Sequence, residues 1–328
     1  MQLLMSQTAY QRIEPRLKAL APDLEIITLV NPGTFRRDGR EIDTQTVAPD
    51  IAWVSHDMIA SGLLPAMFAR LLQSDGLQWI QIPFAGLDHP IFKQIMAKGS
   101  RLTKSSAQAI PIAEYVLSHA LSLIAPINAQ RDAQARQEWR TTPYREIGQT
   151  RWTLIGFGSI GKAIAQRLKP FGCHLTIVRR AASPDPLADA VVVTAALPDV
   201  LPQCDVVVLA VALNEQTRNM VDDRFFAAMK PHSILINIAR GALIDEEALK
   251  RGLERDQPGW AVLDTFTTEP LPPSSWMWRH PKIRVSAHTS HAGNGTPGRG
   301  DDLFLGNLKL YLAGDALLNE ASRSEVGL

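Results

Sequence analysis

The sequence predicts an α/β protein of two doubly wound domains, each a parallel β-sheet covered by helices. Short apolar runs typical of buried strands alternate with helical runs, and this alternation occurs in two series along the chain. The length of 328 residues suits two domains, and 45% hydrophobic with 20% charged residues is an ordinary globular composition.

The first series occupies the N-terminal part of the chain. Its strand-like and helical runs are LEIITLV at 24–30, DIAWV at 50–54, LLPAMFARLLQ at 63–73 and LQWIQI at 77–82. The run IAEYVLSHALSLI at 112–124 is apolar on nearly every face, which predicts a buried helix joining the two domains.

The second series begins at Trp152. Its strands are predicted at WTLIG, HLTIV, VVV, DVVVLAV, SILINI, WAVLDTF and IRVSA, and its helices at IGKAIAQRLKPF, FFAAM (225–229) and EEALKRGL (246–253). Strands this apolar suit a sheet covered on both faces. After the glycine-rich run AGNGTPGRG, helical periodicity in DDLFLGNLKLYLAG predicts a last helix at 301–314.

Composition excludes several function classes. Thirty-four Lys and Arg against 33 Asp and Glu leave a net charge of +1, so no global field holds nucleic acid or an anionic membrane. The two cysteines, Cys173 and Cys204, lack metal-ligand spacing, and we expect no metal site and a reducing, cytoplasmic location. No apolar stretch reaches the length of a membrane span.

A glycine-rich turn follows the first strand of the second series. Gly156, Gly158 and Gly161 form G-x-G-x-x-G, with Ser159 and Ile160 between the last two, at the start of a predicted helix. Such a turn lets a backbone approach a pyrophosphate at a helix N-terminus. It predicts a Rossmann-like dinucleotide domain, and its distance from the N-terminus predicts that this domain is inserted into the other.

The end of the next strand bears on which cofactor is bound. Arg179 and Arg180 stand where an NAD-binding domain carries an acidic residue for the ribose 2′-hydroxyl. Two guanidinium groups favour the 2′-phosphate of NADP. We therefore expect NADP, with NAD possible, and a pair of solvated surface arginines is the alternative.

Three later strands are each followed by a charged or titratable side chain. Arg240, Glu269 and His288 come after SILINI, WAVLDTF and IRVSA. Ligands bind at the carboxyl ends of strands in open α/β sheets, so these side chains are candidates for one catalytic site. His291 competes with His288, but His288 directly follows the strand.

The chain resembles the D-isomer-specific 2-hydroxyacid dehydrogenase family, most closely its glyoxylate and hydroxypyruvate reductase branch. The resemblance rests on FAGLD (84–88), SSAQAIPIAEYVLSHAL (105–121), GFGSIG, VALNEQTRNMV (211–221), INIARG, LDTFTTEPLP and SAHTS. It implies a cofactor domain of residues 105–292 inserted into a flavodoxin-like substrate domain of residues 1–104 and 293–328, in a homodimer.

The resemblance also implies roles for the site residues. Arg240 would bind the carboxylate and 2-oxo oxygen of the substrate, His288 would protonate that oxygen, and Glu269 would orient the imidazole and favour the imidazolium. Further cofactor contacts are implied for Ala210, Val211, Thr217, Ala239 and Asp264.

In the other domain, backbone amides of Ala85 and Gly86 would hold the substrate carboxylate. The residues alone are equally consistent with an ordinary turn that has no binding role. Ser55 and His56 follow the strand DIAWV and are further substrate-binding candidates, but both could equally cap the next helix. A Pro commonly precedes the family histidine and a Val the Phe of LDTF, whereas this chain has Ala287 and Thr265.

These observations predict an NADPH-preferring reductase of small 2-oxo acids such as glyoxylate or hydroxypyruvate. The alternatives are a non-enzymatic, dinucleotide-sensing corepressor-like protein and an NAD-dependent D-2-hydroxyacid dehydrogenase for a bulkier substrate. Trp276 and Trp278, beside the Glu269 loop, would either close over such a substrate or pack at a subunit boundary.

Overall fold

Two seven-stranded β-sheets organise the chain, one in each of two units. The computed structural model describes residues 1–328. Unit 1 comprises residues 1–107 and 294–328, and unit 2 comprises residues 108–293. The predicted boundaries at 104/105 and 292/293 differ from these by three residues and by one residue. The predicted fold class, two α/β domains built on parallel sheets, is confirmed.

Unit 1 begins with seven strands and four helices. The strands are β1 (Gln2–Ser6), β2 (Glu25–Asn31), β3 (Thr34–Arg37), β4 (Arg40–Ile42), β5 (Ile51–Trp53), β6 (Trp79–Gln81) and β7 (Arg101–Thr103). The helices are α1 (Gln7–Leu20), α2 (Asp57–Ala60), α3 (Leu64–Gln73) and α4 (Pro90–Ala97).

The parallel strands of unit 1 follow the order β2-β1-β5-β6-β7, with β3 and β4 added antiparallel beside β2. Counted along the chain, this order of parallel strands is that of the flavodoxin-like fold. The sequence did not predict β1, although it lies between β2 and β5 and its Leu3, Leu4 and Met5 are fully buried. QLLMS offers only three apolar residues in a row, too short a run to separate a buried strand from a helix.

Unit 2 contains the next seven strands and six helices. The strands are β8 (Arg151–Ile155), β9 (His174–Val178), β10 (Ala190–Val192), β11 (Val206–Leu209), β12 (Ile234–Asn237), β13 (Trp260–Leu263) and β14 (Ile283–Val285). The helices are α5 (Ala109–Ile124), α6 (Ile127–Ala135), α7 (Ser159–Leu168), α8 (Leu197–Val200), α9 (Asp223–Ala228) and α10 (Glu246–Glu254).

The sheet of unit 2 is entirely parallel, in the order β10-β9-β8-β11-β12-β13-β14. Strands β11 and β12 are buried at every residue, because helices cover both faces of the sheet. The order reverses between β8 and β11, and such a switch point opens a crevice at the carboxyl ends of the strands. This is the strand order of a Rossmann-like domain.

A last helix, α11 (Thr296–Ala313), belongs to unit 1. It starts five residues before the predicted helix at 301–314, although Gly298 and Gly300 lie in its first turns. Pro297 near its first position and the buried side chain of Thr296 fix this start.

No single helix of the chain is both long enough and apolar enough to cross a membrane. The pair α5 and α6 meets these criteria only when taken together, and its two helices are bent by 57° at their junction.

Candidate functional site

The glycine turn lies at the switch point of unit 2. Gly156 follows β8 with φ of +98°, and a Cβ atom there would lie 2.4 Å from the carbonyl oxygen of Ala210 on the neighbouring β11 loop. A Cβ atom on Gly161 would lie 2.7 Å from the carbonyl oxygen of Gly156. These two glycines are therefore required by the fold of the turn itself.

Gly158 differs, because a Cβ atom there would meet no protein atom within 4 Å. It is the N-cap of α7, and no side chain caps this helix start. The first N–H groups of α7 therefore receive no hydrogen bond acceptor from a capping side chain, and they lie at the positive end of the helix dipole. The space beside them is open because residue 158 has no side chain. This combination fits the pyrophosphate of a dinucleotide.

Arg179 and Arg180 stand at the carboxyl end of β9, next to that turn. The Arg179 guanidinium lies 5.8 Å from the ring centroid of Phe157, inside the glycine turn, and its Nη2 donates to the carbonyl oxygen of Ser183 and, at 2.8 Å, to the Ser183 Oγ. Arg180 is exposed. Arg179 is therefore held beside the turn, whereas Arg180 extends into solvent.

Four further residues that the resemblance implied lie on the loops after β11 and β12. Ala210 N donates to the carbonyl oxygen of Ile155 at 2.8 Å, which ties the loop carrying Ala210 and Val211 to β8. The Thr217 hydroxyl closes its own loop by donating to the carbonyl oxygen of Ala212 at 2.8 Å. Ala210, Val211 and Thr217 thus follow β11, and Ala239 follows the neighbouring strand β12, on the side of the sheet where the strands end.

Arg240 follows β12 in an extended conformation and is half-buried. Its Nη1 donates to the carbonyl oxygen of Ala239 at 2.8 Å, and its own carbonyl oxygen accepts from the Asn237 side chain at 2.8 Å. The next residue, Gly241, is buried, and a Cβ atom there would lie 1.9 Å from the backbone carbon of Phe266. Only glycine permits this contact between the loops after β12 and β13.

Glu269 and His288 are in direct contact. His288 Nδ1 lies 2.8 Å from Glu269 Oε2, and Glu269 Oε1 accepts from the backbone N–H of Phe266 at 2.9 Å. An ionised carboxylate only accepts hydrogen bonds, so Nδ1 carries the proton and Nε2 is left for a substrate. His288 has φ of +49°, a left-handed conformation that is uncommon for a side-chain-bearing residue.

Asp264 holds the loop that carries His288. Its backbone oxygen accepts from the N–H of His288 at 2.8 Å, and its carboxylate accepts from the N–H groups of Thr289 at 2.8 Å and Ser290 at 3.1 Å. The Ser286 hydroxyl adds a bond of 2.6 Å to the same carboxylate. The side chain is fully buried, a supporting role that the sequence did not predict, and its implied cofactor contact stays a prediction.

Thr265, where the family commonly has Val, is 2% exposed, and its hydroxyl has no hydrogen-bond partner. Of the two tryptophans beside the Glu269 loop, Trp276 packs on the core of unit 2, whereas Trp278 is half exposed and donates to the carbonyl oxygen of Pro272 at 3.0 Å.

The substrate-binding candidates of unit 1 follow β5 and β6. Ser55 is almost fully buried, and its hydroxyl lies 3.1 Å from the Ser6 Oγ rather than capping α2. Ala85 and Gly86 are half-buried in the loop between β6 and α4. The amides of this loop are therefore more accessible to a small anion than the Ser55 hydroxyl is.

No group of three or more His, Cys, Asp or Glu side chains is placed to hold a metal ion.

Comparison with known proteins agrees with this geometry. Residues 117–290, more than half of the chain, match the model of the D-isomer-specific 2-hydroxyacid dehydrogenase NAD-binding domain. Glyoxylate/hydroxypyruvate reductase A of Serratia proteamaculans is 32% identical over 188 residues, which cover 56% of this chain and 59% of that enzyme.

Two solved structures share the whole fold. One is a D-isomer-specific 2-hydroxyacid dehydrogenase of Xanthobacter autotrophicus in complex with NADPH, with a TM-score of 0.79 and 23% identity over 99% of this chain and 98% of that chain. The other is an NADPH-dependent glyoxylate/hydroxypyruvate reductase of Sinorhizobium meliloti in complex with NADP and sulfate, with a TM-score of 0.79 and 20% identity over 99% of both chains.

Proposed function

The chain belongs to the family of D-isomer-specific 2-hydroxyacid dehydrogenases, and we propose that it is an NADPH-preferring reductase that converts small 2-oxo acids into D-2-hydroxy acids. Glyoxylate and hydroxypyruvate are the substrates we expect. The observation that carries the proposal is the 2.8 Å contact between His288 Nδ1 and Glu269 Oε2, in the same unit as Arg240 and the glycine turn.

The bound nicotinamide would supply the hydride, which is transferred to C2 of the oxo acid. The first amides of α7 and the space beside Gly158 would hold the pyrophosphate. The loops after β11 and β12 would line the rest of the dinucleotide, through Ala210, Val211, Thr217 and Ala239.

Arg240 would bind the substrate carboxylate and polarise the 2-oxo group. Its planar guanidinium provides several N–H donors in one plane, which suits bidentate recognition of a carboxylate. Negative charge grows on the oxo oxygen as hydride arrives at C2, and a fixed cation stabilises that charge more than it stabilises the ground state. We propose that, in unit 1, the backbone N–H groups of Ala85 and Gly86 also donate hydrogen bonds to the substrate carboxylate.

His288 would donate its Nε2 proton to the oxo oxygen. Because Glu269 accepts from Nδ1, it fixes the ring orientation and stabilises the positive charge of the imidazolium. In the oxidative direction the same ring, once neutral, would accept the hydroxyl proton. The same pair would therefore serve both directions of the reaction.

Preference for NADPH is supported by Arg179, which is held beside the glycine turn, and by the cofactors named for the two structural neighbours. The 2′-phosphate of NADPH would accept charge-assisted hydrogen bonds from Arg179 and Arg180, whereas NADH has only a neutral 2′-hydroxyl at this position.

Steady-state kinetics with a panel of 2-oxo acids and both nucleotides tests the proposal. We expect kcat/KM for NADPH to exceed that for NADH. In Arg179→Ala, kcat/KM for NADPH should fall by about 10- to 100-fold, the worth of a charged hydrogen bond. The value for NADH should change little, which makes NADH the internal control. Equal losses with both nucleotides would refute the assignment of Arg179 to the 2′-phosphate.

A further inference from the structure

A second histidine stands beside the proton donor. The ring centroids of His288 and His291 are 6.0 Å apart, and the ring planes are nearly perpendicular at 88°. The His291 ring is also hydrogen-bonded to the backbone of His288. Glu269 contacts the His288 ring, so the carboxylate selects His288 as the donor of the pair.

We propose that His291 is a positioning residue that holds the His288 imidazole in its proton-donating orientation. This inference rests on the proposed role of His288 in the reduction of 2-oxo acids. His291 itself would touch neither substrate nor cofactor, and it would act only through the backbone and ring of His288.

The need for such a residue follows from the backbone of His288. Its φ of +49° is a strained conformation for a residue with a Cβ atom, and it persists only where neighbours fix it. Asp264 fixes the amide side of this segment, because its oxygens accept from the N–H groups of residues 288–290. The His291 ring provides a further bond to the His288 backbone, so two side chains restrain the strained residue.

The edge-to-face arrangement adds a restraint on the ring. Aromatic rings with centroids 4.5–7 Å apart prefer this geometry, which the 88° angle satisfies. Rotation of the His288 ring away from Glu269 would give up this contact as well as the Nδ1 hydrogen bond. The two contacts thus select the same ring orientation.

The charge state of His291 suits a positioning role. Burial lowers its pKa, and the neighbouring His288 lowers it further, whereas Asp264 and the hydrogen bond to the His288 backbone raise it. With burial the largest of these effects, His291 is a neutral ring with one N–H donor near neutral pH. It therefore places no second positive charge beside the imidazolium of His288.

Two substitutions separate the hydrogen bond from the ring contact. His291→Phe keeps an aromatic ring and removes the N–H donor, whereas His291→Gln keeps an amide donor and serves as the matched control. We would measure, in the full-length protein without substrate or nucleotide, the NMR resonance of the His288 Nδ1 proton bonded to Glu269. In parallel, kcat and KM would be measured with hydroxypyruvate and NADPH.

In His291→Phe we expect the Nδ1 proton resonance to broaden or vanish and kcat to fall about tenfold with KM little changed, because a misplaced donor slows the chemical step more than binding. His291→Gln keeps a donor and loses the ring contact, so it should recover part of both. An unchanged resonance in His291→Phe would overturn the proposal, and so would a Gln variant that loses as much as the Phe variant. Because the resonance needs no turnover, it tests the positioning role even if no 2-oxo acid is reduced.

Discussion

The His288 side chain is partly exposed to solvent, and its backbone conformation is strained. A non-glycine residue in the left-handed region costs about 1–3 kcal/mol, and such residues persist where the surrounding structure fixes them. Here the φ of +49° aims the ring at Glu269, and the buried Asp264 holds the loop behind it. The strain is thus located at the residue that we propose donates the proton.

Arg240 and His288 should fail in different ways when substituted. Arg240→Lys keeps the charge and loses the planar fork, so we expect KM for the oxo acid to rise and kcat to fall together. His288→Gln removes the proton donor, and kcat should fall by about 10²- to 10⁴-fold with a smaller change in KM. Steady-state kinetics at saturating NADPH would measure kcat and KM for both variants. A His288→Gln variant with normal kcat would exclude His288 as the proton donor.

The hydroxyl of Thr265 is a local cost to stability. It is buried without a partner, and such a group costs about 1–3 kcal/mol. Thr265→Val keeps the shape and removes the hydroxyl, so the free energy of unfolding in urea should rise by about 1 kcal/mol. Thr153→Val is the matched control, because the Thr153 hydroxyl lies 2.6 Å from the Cys204 sulfur. Stabilisation of both variants, or of neither, would contradict this account.

Among the elements of unit 2, the loops after β12 and β13 are locked together at one glycine. The Cα of Gly241 approaches the backbone of Phe266 so closely that a Cβ atom would overlap it at 1.9 Å. Arg240 precedes this contact, and Glu269 follows it by three residues along the second loop. This backbone contact therefore fixes the distance between the chain segments that carry Arg240 and Glu269.

Two glycine-to-alanine substitutions should separate structural from ligand-binding roles. Gly241→Ala forces two loops apart, and we expect a loss of about 2–3 kcal/mol in the free energy of unfolding. Gly158→Ala meets no protein atom, so stability should stay close to that of the wild type while NADPH binds more weakly. Urea denaturation and fluorescence titration with NADPH measure the two effects. Tight NADPH binding by Gly158→Ala would contradict the assigned pyrophosphate position.

Sequence patterns predicted the strands of unit 2 well, because buried parallel strands such as DVVVLAV and SILINI are long apolar runs. They failed for β1, for the hairpin of β3 and β4, and for β7, which are short or mixed in polarity. The positions of Arg240, Glu269 and His288 after strands were predictable, whereas the supporting bonds of Asp264 depend on loop geometry that periodicity does not encode.

The C-terminal segment of the chain completes unit 1. After α11, Glu320 pairs with Arg101 of β7 through two hydrogen bonds of 2.7 and 2.8 Å, and the backbone of Ala321 donates to Leu102 at 2.8 Å. The chain therefore encloses unit 2 in sequence and closes unit 1 with its last residues. The homodimer that the family resemblance implies stays a prediction.

The Arg101–Glu320 pair makes this closure sensitive to pH. The hydrogen bond from Arg101 lowers the pKa of Glu320 in the folded protein. As the pH falls, the Glu320 carboxylate is therefore protonated in the unfolded chain at a higher pH than in the folded one. The stabilisation is present above the ordinary glutamate pKa of about 4.3 and is lost as the pH falls through the lowered value. Because both side chains are about one-third exposed, solvent screening limits it to about 0.5–1 kcal/mol.

Glu320→Gln removes the charge and keeps the shape. Its free energy of unfolding at pH 7 should therefore be lower than that of the wild type, and the two curves should converge below pH 4. Urea denaturation across this range measures the difference. A gap that stays constant down to pH 3 would show that packing, rather than charge, holds the C-terminal segment.

We propose that this chain reduces 2-oxo acids to D-2-hydroxy acids. The most direct measurement is to incubate the purified protein with NADPH and hydroxypyruvate, follow NADPH by absorbance, and identify the product by chiral chromatography. We expect one D-glycerate to form for each NADPH consumed. Formation of L-glycerate, or NADPH binding without turnover across glyoxylate, hydroxypyruvate and bulkier 2-oxo acids, would contradict it.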